Sequence, residues 1–120
     1  MGLRGLYSID DIRPKDGGYD IRATIFAGHR VFDGHFPEQP VVPGVCTLTV
    51  IKKAVSEASG RPLMYQSIKE CKFLSALIPE EDLRLELDCT LTEDDTLKCV
   101  VSCNGVISLK LNASMAETEM

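Results

Sequence analysis

The chain has 120 residues, 44% of them hydrophobic and 26% charged, which suits one soluble globular domain and leaves no room for two ordinary ones. Thirteen basic residues against eighteen acidic give a net charge of −5, and no basic patch suited to nucleic acid is visible in the sequence. The longest stretch without a charge, Gln39 to Ile51, holds two prolines and a glycine and is far short of the about 20 apolar residues of a membrane span. The N-terminus turns polar at Ser8-Ile9-Asp10-Asp11 without a signal-peptide core, which predicts a cytoplasmic protein.

Taken in chain order, Ser8 to Arg13 reads as a short edge strand. After the Asp16-Gly17-Gly18 turn, Tyr19, Ile21, Ala23 and Ile25 alternate with polar residues as a strand does. One segment has helical spacing, over 43–59: Val45, Leu48, Ile51, Val55 and Ala58 recur every three or four residues, and Gly60 followed by Pro62 stops it. Leu63 to Phe73 is a weaker strand, ending before Pro79. Leu83, Leu85, Leu87, Cys89 and Leu91 then alternate with polar residues, and Thr92-Glu93-Asp94-Asp95 turns the chain. Leu97, Cys99, Val101 and Cys103 form the next buried face. Asn104-Gly105 tolerates the positive φ of a type I′ hairpin, after which Ile107, Leu109, Leu111 and Ala113 alternate again.

A helix of about 16 residues is roughly 24 Å long, and a twisted antiparallel sheet of five to six strands can wrap around it and bury its apolar face. The layout predicts an α+β hot-dog fold, one domain over 1–120 with its core at 19–113. The five cysteines, Cys46, Cys71, Cys89, Cys99 and Cys103, are odd in number and form no zinc-like cluster. They read as buried reduced thiols acting as small hydrophobes, and no metal is implied.

The stretch Val31-Phe32-Asp33-Gly34-His35-Phe36-Pro37-Glu38-Gln39-Pro40-Val41-Val42-Pro43-Gly44-Val45 is a stiff loop leading into the helix, with three prolines and two glycines. Folding alone does not call for a histidine in its middle. No Ser, Thr, Asp or Asn stands directly before the helix as an N-cap. The N–H groups of Gly44, Val45 and Cys46 therefore lack an obvious side-chain acceptor, and donors at a positive helix end suit an oxyanion or a polarised carbonyl. Water or a neighbouring loop would satisfy them equally well.

His35-Phe36-Pro37, then Pro40, then Val42-Pro43-Gly44-Val45 resembles the signature of the (3R)-hydroxyacyl-acyl-carrier-protein dehydratases. Cys71-Lys72-Phe73 with Pro79 and Asp82-Leu83 is similar to that family's second motif, and the resemblance runs from about Tyr19 to Ala113. It implies that His35 is the base taking the α-proton of a 3-hydroxyacyl thioester and that the Gly44 N–H steadies the enolate-like oxygen. It further implies that Phe36, Pro37, Val42, Pro43, Val45, Cys46 and Phe73 line the substrate site. No cofactor is implied, since the phosphopantetheine arm comes with the carrier. The implied partners are an acyl carrier protein or acyl thioester and a second copy of the chain, in a homodimer or a trimer of dimers.

The sequence departs from the family at Thr49, where a Glu or Asp contributed across the dimer is usual, and at Glu38, where Gly is usual. Threonine cannot serve as a carboxylic acid. Three readings stay open: His35 alone carries the elimination with Thr49 placing a water; Asp33, Glu38 or Glu57 substitutes; or the fold only binds an acyl thioester as an impaired or partner subunit. Glu57 lies about 12 Å beyond Thr49 along the helix, too far without another pose. A hot-dog thioesterase shares the fold but does not call for the His-Phe-Pro loop. Cys46 reads as packing ahead of a nucleophile, His29 as a loop residue, and Lys52 and Lys53 as a solvated face.

Overall fold

A computed structural model describes residues 5–32 and 41–118. Its elements are β1 (Tyr7–Lys15), β2 (Gly18–Ile25), a single turn of 3₁₀ helix (Arg30–Phe32), α1 (Gly44–Ser59), β3 (Leu63–Phe73), β4 (Leu83–Leu91), β5 (Thr96–Cys103) and β6 (Val106–Glu117). The six strands make one antiparallel sheet in the order β1-β2-β4-β5-β6-β3. The helix packs on its inner face, touching β1, β2 and β3. This is the hot-dog arrangement predicted from the layout, with six strands.

Alternation decides which face of each strand is dry. Ile21, Ala23 and Ile25 of β2, Leu85, Leu87 and Cys89 of β4, and Leu97, Cys99 and Val101 of β5 are all buried, while their sequence neighbours stay wet. Pairing in register (Ile21 with Leu87, Leu87 with Val101, Val101 with Leu109) lines them into rows beneath α1. The turn at Asn104-Gly105 has φ of 53° and 78°, both left-handed as a type I′ hairpin requires.

Four details differ from the sequence expectation. The edge strand β1 runs from Tyr7 to Lys15, longer than Ser8 to Arg13. Pro14 is tolerated because an edge strand has a side with no partner to bond, and a bulge at Asp10 re-phases the pairing. Ile107 is on the exposed face, 39% accessible: the register shifts between Val101 and Ser102, so Ser108 takes the buried position and the later apolar residues regain the inner face. Cys71 and Cys103 are half-buried, whereas Cys46, Cys89 and Cys99 are buried; all five are free thiols.

The helix is rotated relative to the expected stripe. Its buried residues are Cys46, Thr47, Val50, Ile51, Ala54 and Val55, so Ile51 and Val55 belong to the core as expected. Leu48 and Ala58 only flank it, and Val45 is 66% exposed. The helix begins one residue after Pro43, the N-cap, because proline's fixed φ and missing N–H suit the first position outside the helical ladder. It ends at Gly60, whose φ of 72° forms a left-handed cap, with the Gly60 and Arg61 N–H groups both bonded to the Ser56 carbonyl.

Candidate functional site around the start of the helix

Two backbone ties fix the approach to α1. The Val42 N–H donates to the Leu77 carbonyl at 2.9 Å, joining the strand-like entry of the helix to the segment after β3. On the other side of the loop, the Ala27 N–H donates to Asp82 Oδ1 at 2.9 Å, and the Phe32 N–H donates to the His29 carbonyl at 3.2 Å. Phe32 is 6% exposed and anchors that end in the core. His35, Phe36 and Pro37, with Asp33 and Glu38, lie outside the described residues.

The first turn of α1 has no side-chain cap bond and no acidic residue. The Cys46 N–H, for which the sequence offers no side-chain acceptor, donates to the backbone carbonyl of Pro43 at 2.9 Å, because the chain tightens into a single turn there. Among the described residues no side chain caps the Gly44 and Val45 N–H groups, which stand at the positive end of the helix dipole. Gly44 is set by close approach: a Cβ built there would stand 2.6 Å from Phe73 Cζ and 2.8 Å from Cε1. The Phe73 ring, 59% exposed, thus covers the first residue of the helix.

Beside this contact lies a cavity of about 350 Å³, lined by Val42, Gly44, Thr47, Phe73, Leu74 and Ser108 among others. Three of the residues singled out in the sequence, Val42, Gly44 and Phe73, meet on its wall. Pro43, Val45, Cys46 and Thr49 are not in that lining: Val45 faces solvent, and Cys46 is 1% exposed in the core. Burial pushes the Cys46 thiol up from its ordinary value, opposite to what a nucleophile needs, in keeping with the packing role read from the sequence.

Thr47 and Ser108, 3% and 4% exposed, were missed as wall residues. Thr47 is one helical turn beyond Gly44, a signal the spacing already held. Ser108 enters only through the β6 bulge, which no alternation pattern marks. Its backbone and hydroxyl hold the loop after β3: the Leu74 N–H donates to the Ser108 carbonyl at 2.8 Å, Ser108 Oγ donates to the Ser75 carbonyl at 3.0 Å, and Ser75 Oγ donates to the Ile107 carbonyl at 3.0 Å.

Thr49 is half-buried, and its Oγ1 donates to the Val45 carbonyl at 2.9 Å. With its proton engaged in the helix, the hydroxyl offers only lone pairs to anything else. Glu57 is exposed near the far end of α1. Two larger hollows, about 640 and 450 Å³, lie on the outer face of the sheet among Arg13, Arg22 and Glu86, where charges of both signs alternate. Among the described residues no cluster of His, Cys, Asp or Glu forms a metal site, and no helix is long and apolar enough to cross a membrane.

Residues 11–111 match the family described as ApeI-like, ApeI dehydratase. The chain belongs to the ApeI-like dehydratase family. It is 36% identical over 74 residues to the 3-hydroxyacyl-[acyl-carrier-protein] dehydratase FabZ of Bacillus velezensis, covering 56% of this chain and 52% of that protein. The FabZ of Granulibacter bethesdensis is 31% identical over 87 residues, 65% of this chain and 51% of its own. The chain spans about half the length of the curated relatives it matches. Among solved structures, the dehydratase heterocomplex ApeI:P from Xenorhabdus doucetiae superposes with a TM-score of 0.72 at 21% identity, covering 92% of this chain and 97% of that one. A hypothetical thioesterase with coenzyme A from Streptococcus pneumoniae superposes with a TM-score of 0.65 at 15% identity, over 95% and 87% of the two chains. At these identities the structural likeness defines the hot-dog fold.

Proposed function

We propose that the chain dehydrates (3R)-hydroxyacyl thioesters carried on acyl carrier protein, giving the trans-2-enoyl thioester in acyl-chain biosynthesis. The observation that carries this reading is the uncapped start of α1, with Gly44 beneath Phe73 at the edge of a cavity of about 350 Å³, in a chain of a dehydratase family. In this reading the thioester oxygen accepts from the Gly44 N–H, so that negative charge developing on it meets a fixed donor and the helix dipole. His35 takes the α-proton, the carbon–carbon double bond forms, and the β-hydroxyl leaves as water with a proton returned by the same imidazole. Thr49, already donating to Val45, accepts a hydrogen bond from the β-hydroxyl or from a water and orients it. The phosphopantetheine arm arrives with the substrate, and no metal or further cofactor takes part.

The same reading uses a second copy of the chain. Val45, Met64, Ile68, Phe73 and Leu74 are all 43% exposed or more, and they gather along the free edge of the sheet at β3 and at the adjoining start of α1. An edge strand with exposed apolar side chains is a pairing surface, and a homodimer joined there closes the side of the site that one chain leaves open. Thr49 favours one further reading, a subunit that binds the acyl thioester while a partner chain supplies the missing acid.

The test is mass spectrometry of a panel of 3-hydroxyacyl carrier-protein thioesters incubated with the protein and with its His35→Ala variant. Loss of one water from the acyl group, abolished in the variant, supports the dehydratase. Unchanged acyl carrier with retained binding overturns it in favour of the binding subunit. Release of free carrier thiol replaces it with a thioesterase.

A further inference from the structure

Cys89 of β4 and Cys99 of β5 stand directly opposite each other in the antiparallel ladder, and the Cys89 thiol donates to Cys99 Sγ at 3.4 Å. Along such a ladder hydrogen-bonded and non-hydrogen-bonded pairs alternate, and side chains approach more closely in the latter. The Thr92 N–H donates to the Thr96 carbonyl at 3.0 Å, which fixes the phase at the turn. Counting back from that bonded pair, Leu91–Leu97 is non-bonded, Thr90–Lys98 bonded and Cys89–Cys99 non-bonded. The Cα atoms of a non-bonded pair are about 4.5 Å apart, inside the range of roughly 4.4–6.8 Å that a disulfide spans.

Two of the other cysteines, Cys71 and Cys103, are placed out of competition by the same register, while Cys46 lies on α1 and not in the ladder. Cys71 shares the row but lies two strands from Cys99, with Leu111 between them, a separation of about 9.6 Å. Cys103 is four residues further along β5, roughly 13 Å away. Cys89 and Cys99 are 0% and 1% exposed, so the pair faces only itself and the core.

We propose that Cys89 and Cys99 form a cross-strand disulfide site, closed by thiol–disulfide exchange while the chain is folding or locally open. With glutathione disulfide as the oxidant, one cysteine thiolate attacks a glutathione sulfur and releases the first glutathione thiol. The second cysteine then attacks the mixed disulfide and releases the other. Two protein thiols and one glutathione disulfide become one protein disulfide and two glutathione thiols, with two electrons passing to glutathione. In the closed fold the exchange is slow, because the adjoining Cys89 sulfur and burial hold the Cys99 thiol well above its ordinary range and no oxidant reaches it.

The experiment unfolds the full chain reduced in urea and refolds it by dilution into a buffer of reduced and oxidised glutathione. Remaining thiols are alkylated, and peptides are mapped without reduction. Trypsin cuts after Arg84, Lys98 and Lys110, which separates Cys89 from Cys99 but leaves Cys99 with Cys103. The Cys103→Ala variant is therefore run beside the wild type, and fragmentation of the wild-type linked peptide assigns the sulfur if that variant does not refold. The expected product is two hydrogens lighter, carries a Cys89–Cys99 link as its major disulfide, and melts on the order of 5 °C higher than the reduced protein. A refolded protein with native circular dichroism and five alkylated cysteines overturns the proposal, as does a major link through Cys46, Cys71 or Cys103.

Discussion

The ring of Phe73 rests on Gly44 so closely that no other residue fits at the first position of α1 without moving it. Because Phe73 is exposed, the ring has room to swing, and the cost of a methyl at position 44 falls on the cavity wall more than on the fold. Gly44→Ala is therefore expected to change stability by less than about 1 kcal/mol, since alanine's better helix propensity offsets the displaced ring. In the dehydration assay it is expected to lower turnover at least about tenfold, since a misplaced group near reacting atoms is costly. Adding Phe73→Ala to that variant removes the clash, so the two substitutions should be non-additive in a double-mutant cycle. Additive losses would show that the contact does not govern the site.

Thr49 gives a test of opposite sign. Its hydroxyl proton is committed to the Val45 carbonyl, and the first turn of the helix has no acid to balance the dipole. Thr49→Glu is expected to leave the fold intact and to stabilise it by a few tenths of a kcal/mol at most. If dehydration is limited by proton delivery to the leaving hydroxyl, the new carboxylic acid raises turnover by a factor within the 10²–10⁴ range roughly typical of general acids. Thr49→Val, which keeps the shape and removes the lone pairs, is expected to lower turnover several-fold. Single-turnover kinetics with one acyl carrier substrate measures both.

The fold was legible because alternation survives wherever strands pair on both sides. Leu85, Leu87 and Cys89 on β4 are buried in the order the pattern predicts, and Asn104-Gly105 turns where its chemistry says. It faded at β3, an edge strand whose register shifts twice and whose only fully buried residue is Leu63: half of its ladder faces no partner, so no dry face repeats. The site was half legible. Gly44 and Phe73 were singled out and do meet, whereas Ser108 reaches the cavity through a bulge that resets the period. Val45 matched a helical stripe but lies beyond the reach of this chain's own sheet.

The rotated helix face separates the residues of the core from those that the proposed dimer would use. Ile51 is fully buried beneath the sheet, and Ile51→Ala is expected to cost about 2–5 kcal/mol through the cavity left behind, read as a lower urea midpoint. Val45, about 1.7 turns earlier and 66% exposed, makes little of the monomer's core. Val45→Asp is expected to leave the unfolding of an isolated chain nearly unchanged and to shift a dimer toward monomer in sedimentation velocity. An unaltered dimer would place the subunit contact elsewhere.

At the opposite end of the sheet, Arg61 joins three elements after the helix has ended. Its guanidinium donates to both oxygens of Asp95, at 3.0 and 2.8 Å, and to Glu117 Oε1 at 2.9 Å. Asp95 sits in the β4–β5 turn with φ of 64°, and its carbonyl accepts the Met115 N–H at 2.8 Å. The hydrogen bonds from Arg61, with the charge of the guanidinium, hold the Asp95 carboxyl below its usual range. A carboxyl with a depressed folded-state pKa contributes stability above its unfolded value, about 3.9, and loses that contribution as pH falls through the lower folded value. The thermal midpoint of Arg61→Gln is therefore expected to lie below that of the wild type at neutral pH, with the gap narrowing as pH drops below about 4. Because the pair is only partly shielded from solvent, the gap at neutral pH should also shrink in high salt. A gap that is constant across pH and salt would assign the loss to the packing of the arginine stem and not to its charge.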